Sequence, residues 1–134
     1  MFTGKHPLLM DDKKRVQIPA KWRHLFDGPA FLTVSPSAAE RCIVVYTKEG
    51  FERAVAEVRE AGTKSQEARD EFRRVFSNAD NASLDAQGRM VLPAELVAYA
   101  GLTRELMAVA AGDWFEYWDK ATWETYIAAR GARQ

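Results

Sequence analysis

The chain has 134 residues, 28% of them charged and 47% hydrophobic, the proportions of one globular unit with enough apolar surface to bury a core. A disordered or fibrous chain is excluded. Lysine plus arginine equals aspartate plus glutamate at 19 each, so a nucleic-acid or membrane partner has to be met by a local patch and not by overall charge.

Pro7 to Met10 is the apolar stretch near the N-terminus, preceded by Lys5 and His6, and it is too short for a signal-peptide core or a membrane span of roughly 20 residues. A cytoplasmic location is expected. Asp11 to Arg15 reads as a tight turn, and Val16-Gln17-Ile18 alternates as a strand leaving it. Pro19 ends that strand, because proline lacks the N–H of a ladder but fits the start of a helix. A short helix follows, with Trp22 and Phe26 inward and Gly28 at its stop. Phe31 to Ser35 and Cys42 to Tyr46 read as a hairpin. Cys42 heads the apolar run Ile43-Val44-Val45 and is expected as a buried, inert thiol. As the single cysteine it excludes an intramolecular disulfide. With two histidines it leaves no ligand set for a structural zinc, so no metal or cofactor is expected. Thr47 has the side chain to cap a closing helix whose Phe51, Val55 and Val58 share one face. Thr63 and Gln66, at capping-box spacing, begin a second helix with Ala68, Phe72, Val75 and Phe76 on one side and a solvated face of mixed charge.

The same features then return in the same order. A shift of 74 positions places Phe2-Thr3-Gly4 on Phe76-Ser77-Asn78, and Arg15 to Ala20 on Arg89 to Ala94. Pro93, a short helix with Leu96 and Ala100 inward, Gly101, the runs Leu106 to Ala110 and Trp114 to Trp118, a capping Asp119, and a closing helix with Trp123 and Ile127 complete the second copy. The copies span 2–58 and 76–130, with a connecting helix over 59–75. A half of about 55 residues has too little interior to stand comfortably alone, so the halves are expected to interleave around one core. The expected class is α+β, with pseudo-two-fold symmetry, strands at the centre and helices at the periphery.

Charge separates the copies. Residues 1–26 set Lys5, Lys13, Lys14, Arg15, Lys21 and Arg23 against Asp11 and Asp12, whereas residues 75–100 set Arg89 against Asp80, Asp85 and Glu95. The first copy is therefore the phosphate-facing candidate, and His6 and His24 are available to add charge at lower pH. Lys5, Lys13 and Lys14 suit phosphate neutralisation, and Arg15 has the planar fork that reads a guanine edge. Asp11, Asp85, Gly88 and Arg89 read as turn-building residues, with Arg89 pairing to Asp85 across its turn. Trp22, Trp114, Trp118 and Trp123 read as core or subunit interface, with Trp114 or Trp118 the interface candidate, rather than as base-stacking platforms. No catalytic constellation emerges. His6 and His24 have no nucleophile motif beside them, and there is no glycine-rich phosphate loop.

Met1-Phe2-Thr3-Gly4, Asp11 to Arg15 with Ile18-Pro19-Ala20, and above all Leu84-Asp85-Ala86-Gln87-Gly88-Arg89-Met90-Val91-Leu92-Pro93 resemble the MraZ family of bacterial transcriptional regulators, built from two SpoVT/AbrB-type repeats. Tyr99 to Leu102 and Phe115 to Trp118 extend the resemblance over nearly the whole chain. The resemblance implies a swapped-hairpin, AbrB-like β-barrel and closed homo-oligomeric rings. It also implies nucleoid association and repression through repeated boxes in the double-stranded promoter DNA of a division and cell-wall gene cluster. A ring would make individually weak hairpins act together, raising avidity by about 10²–10⁴. One position departs from the family pattern: Lys14 stands where a glycine such as Gly88 is usual. A turn that needs positive φ strains a lysine, so the first turn either takes another shape or accepts the strain with an added charge. The alternative function is an oligomeric protein-interaction scaffold of the same fold, without specific DNA binding.

Overall fold

The computed structural model describes residues 1–61 and 65–131. In chain order it runs β1 (Lys5–Leu9), β2 (Arg15–Gln17), a 3-10 helix (Ala20–Leu25), β3 (Ala30–Val34), β4 (Ile43–Tyr46), α1 (Lys48–Ala61) and α2 (Gln66–Ser77). The second half continues with β5 (Asp80–Ala82), β6 (Arg89–Val91), α3 (Ala94–Ala100), β7 (Glu105–Ala110), β8 (Phe115–Asp119) and α4 (Lys120–Ala129). Six strands form one antiparallel sheet in the order β1-β7-β8-β4-β3-β5, and β2 pairs with β6 in a separate two-stranded ribbon.

That order reads the same from both edges when each strand is exchanged for its counterpart in the other half. β1 lies on β7, with Leu8 opposite Leu106, and β5 lies on β3, with Ala82 opposite Ala30. At the centre Val44 faces Glu116, flanked by Ile43 against Tyr117 and Val45 against Phe115. The ribbon has the same symmetry about Val16 opposite Met90. Each half thus lends its first strand to the other's hairpin. Trp22, Leu32, Ile43 and Val45 from one half and Met90, Leu96, Leu106 and Phe115 from the other then bury one another in a single core, which neither half has the interior to form alone.

The closed barrel implied by the resemblance is not what forms. Among the described residues β1 and β5 are the outermost strands of an open sheet, and the β2–β6 ribbon forms a separate sheet, so strand exchange is present without closure. Alternation along a strand specifies which face is buried; it carries no information on whether sheet edges meet.

Helix ends follow local chemistry with two exceptions. Gly101 ends α3 in the left-handed conformation at φ 62°, which lets the Leu102 N–H reach the Val97 carbonyl at 3.1 Å. In the first half the 3-10 helix already stops at Phe26, before Gly28. Thr47 caps α1, its Oγ1 accepting the Gly50 N–H at 3.0 Å. Thr63 lies outside the described residues, and the cap of α2 is Ser65, whose Oγ accepts the Ala68 N–H at 3.1 Å. Asp119 stands at the start of α4 but makes no capping bond. Its buried carboxylate instead accepts the Thr103 N–H at 3.0 Å and hydroxyl at 2.7 Å, tying α4 to the start of β7.

α1 and α4 cover the other face of the sheet over Cys42, Val44, Tyr46 and Trp118. Trp114 and Trp118 both donate their indole N–H to Glu116, at 3.0 and 2.9 Å, and Trp118 packs 5.2 Å from Trp123 and 4.8 Å from Tyr126. Trp22 donates to the Thr3 carbonyl at 3.0 Å. Cys42 is fully buried, and that burial pushes its thiol far above the ordinary range. Among the described residues no helix is long and apolar enough to cross a membrane.

Candidate nucleic-acid interface

Asp11 builds the first turn. Its Oδ1 accepts the backbone N–H of Lys13 at 2.9 Å and of Arg15 at 2.8 Å, and its Oδ2 accepts Arg15 Nε at 2.6 Å. The backbone closes the loop: Lys14 N–H donates to Asp11 O at 3.0 Å, and Asp11 N–H to Arg15 O at 3.1 Å. Asp85 repeats this with the N–H groups of Gln87 and Arg89, both at 2.9 Å, and with Arg89 Nε at 2.9 Å. Both carboxyl groups are held below their ordinary 3.8, first by the backbone N–H of the arginine four residues on and then by its guanidinium, against a partial desolvation.

This geometry removes the distinction the sequence drew between the arginines. Arg15 is paired across its turn in the same way as Arg89. The pair uses Nε, at the stem end of the guanidinium, so it fixes the plane of the group and leaves the terminal nitrogens outside the ion pair. Arg15 and Arg89 keep 36% and 33% of their side-chain surface exposed. Asp11 and Asp85 are thus positioning residues for the two forks.

Lys14 resolves the departure from the family pattern. Its φ is 63°, close to the 76° of Gly88, and it is the one non-glycine residue with positive φ among those described. The first turn keeps the glycine shape and accepts a strain of about 1–2 kcal/mol. Lys14 is exposed, so its side chain has room, whereas Gly88 is buried and a Cβ there would lie 2.4 Å from Nε and 2.6 Å from Cδ of Arg23. A side chain at the second turn would have to displace Arg23.

Lys13, Lys14 and Arg15 come together at the first turn and the start of β2. Lys5 does not join them. It begins β1, four strand steps and about 13 Å from Leu9, on the far side of that strand from the turn. His6 packs edge-on against Trp22, 5.1 Å between ring centres, within the protein body.

Alternation across the ribbon adds residues that motif reading passed over. Val16 and Met90 point into the core, so Arg15, Gln17, Arg89 and Val91 share the outward face. Val91 is 57% exposed, one of three large hydrophobic residues so placed among those described. The signal was available, since residues two apart on a strand share a face, but it needed the β2–β6 pairing to become a surface. A two-stranded ribbon is an element that the major groove of B-DNA admits.

Two equivalent turns, each fixing an arginine with a carboxylate, thus sit on a strand-exchanged, duplicated scaffold, and comparison with known proteins assigns that scaffold to a class, the transcriptional regulators. The family described as "MraZ protein, putative antitoxin-like" matches twice, over residues 1–74 and 75–133. A transcriptional regulator MraZ from Clavibacter michiganensis is 40% identical over 129 residues, covering 96% of this chain and 88% of the relative. Those of Paenarthrobacter aurescens and Kocuria rhizophila are 41% and 40% identical over 133 residues, each covering 98% of this chain and 90% of the relative. The chain belongs to the MraZ family, a family of transcriptional regulators and not of enzymes.

Proposed function

We propose that the protein is a sequence-specific repressor, cytoplasmic and nucleoid-associated, that binds repeated boxes in the promoter of a division and cell-wall gene cluster. It does so as a closed homo-oligomeric ring assembled from chains whose repeats span 2–58 and 76–130, joined through 59–75. The observation that carries this reading is the first turn: Lys13 and Lys14 are exposed at its tip, and Arg15 is locked by Asp11 on the outward face of a groove-sized ribbon. Lys13 and Lys14 neutralise phosphates, Arg15 reads a base edge, and Lys5, further along β1, supplies outlying positive charge. One such turn makes few phosphate contacts and binds weakly at physiological salt, so repeated boxes and a ring supply the avidity.

The test is titration of wild type and Arg15→Ala against a duplex carrying several promoter boxes and against a scrambled duplex, over a salt series. Specific binding that Arg15→Ala abolishes supports the reading. Equal affinity for both duplexes refutes sequence specificity, and an unaffected Arg15→Ala removes that residue from the site.

A further inference from the structure

We infer that Gln17 is a specificity-determining residue that reads a hydrogen-bond acceptor on a base edge, and that Arg23 and Tyr117 are the residues that position it. The inference rests on the DNA-binding reading above and deepens it. Gln17 lies on the exposed face of the ribbon, directly opposite Arg89 and two residues from Arg15. Unlike most exposed glutamines, it is held from two sides. Its backbone carbonyl accepts the hydroxyl of Tyr117 at 2.7 Å, and its side-chain Oε1 accepts Arg23 Nη2 at 2.6 Å. Arg23 is itself fixed, because its Nε donates to the Ile18 carbonyl at 2.8 Å and its side chain lies across the face of Gly88.

The chemistry of this latch sets a direction. A guanidinium has donors only, so the amide must turn its oxygen to Arg23 and its NH2 away. Gln17 therefore presents a pre-oriented donor beside two arginine forks. In a major groove a donor matches the N7 and O6 of guanine, the O4 of thymine or the N7 of adenine, and on cytosine meets only the amino donor. Little ordering entropy remains to be lost when the contact forms, because the side chain is already fixed.

The latch exists once. The half-turn that exchanges Arg15 with Arg89 exchanges Gln17 with Val91 and Arg23 with Val97, and neither valine can hydrogen-bond through its side chain. The ribbon thus has symmetric arginines, a polar corner at Gln17 and an apolar corner at Val91. Such a face reads a box whose two ends differ.

The experiment is selection from a pool of duplexes with a randomised segment, carried out in parallel with wild type, Gln17→Ala, Gln17→Glu and Arg23→Ala. The wild type is expected to enrich a box that excludes cytosine at one position. Gln17→Ala should lower discrimination at that position alone, by about tenfold, with the salt dependence unchanged. Gln17→Glu keeps a partner for Arg23 and replaces the donor by an acceptor, so the same position should shift toward cytosine, whose amino group donates. Arg23→Ala should broaden the preference at that position and no other, a readout that a merely structural role would not move. Identical boxes from wild type and both Gln17 variants, or a loss spread evenly over all positions, would overturn the inference. A wild type that enriches nothing would instead refute the DNA-binding reading itself.

Discussion

Replacing Lys14 by glycine separates strain from charge in the first turn. Lys14 holds φ at 63°, a left-handed conformation that costs an L-residue about 1–2 kcal/mol. Glycine removes that strain but gains freedom in the unfolded chain worth roughly 0.5–1 kcal/mol. The net expectation is stabilisation by about 0.5–1 kcal/mol, a rise in melting temperature of roughly 2–4 °C for a chain of this size. The exposed Lys14 side chain gives no packing to lose. The same substitution removes one cation from the turn tip, so the slope of log affinity against log salt on a box-containing duplex should fall by about 0.9 per engaged turn. Thermal unfolding at matched protein concentration and a salt-titrated binding isotherm measure the two effects on one sample. A destabilised Lys14→Gly would refute the argument that the turn stores strain. An unchanged salt slope would show that Lys14 contacts no phosphate. Gly88→Ala is the contrasting control: positive φ and the 2.4 Å approach to Arg23 predict a loss of about 2–4 kcal/mol.

Tyr117→Phe should cost about 1–2 kcal/mol in chemical denaturation, because it strands the Gln17 carbonyl that the buried hydroxyl now satisfies. Ser65→Ala should cost about 1 kcal/mol through loss of the α2 cap, without changing DNA affinity, which the same denaturation and a binding isotherm check. Asp11 and Asp85 have folded-state pKa values depressed below 3.8, so their contribution to stability is fully present above that pH and is lost as the pH falls through the lowered values. Denaturation midpoints measured from pH 6 to about pH 2.5 should therefore drop in the acid range, and Asp11→Asn should flatten part of that drop.

Much of the fold was legible because its signals are local. Asp-x-x-x-Arg followed by an alternating strand and a proline marks the turn, strand and helix start in both halves, and the structure holds all three where the spacing puts them. Interleaving of the halves was legible from size, since neither has the interior to stand alone, but that the first strands are what they exchange emerges only from the pairing of β1 with β7 and β5 with β3. Closure was not, because sheet edges meet or fail to meet through geometry that no residue pattern encodes. The capping expectation at Asp119 failed for a similar reason: the residue type suits a cap, but Thr103, 16 residues away, offers two donors to the same carboxylate. At the site, Lys14 could be read as an anomaly, yet only the structure shows that the turn keeps its shape and that Gly88 is the position over which Arg23 lies. The Gln17 latch was invisible because one of its holders, Tyr117, lies 100 residues away.

In the proposed function, the outward face of the β2–β6 ribbon and the turn beside it engage DNA. This engagement is tested most directly by placing a photoreactive amino acid singly at Lys13, at Val91, at Glu52 on α1 and at Glu124 on α4, then irradiating each variant bound to a multi-box duplex. Cross-links from positions 13 and 91 with none from 52 and 124 are predicted. Cross-links from the helices with a silent ribbon would contradict the account.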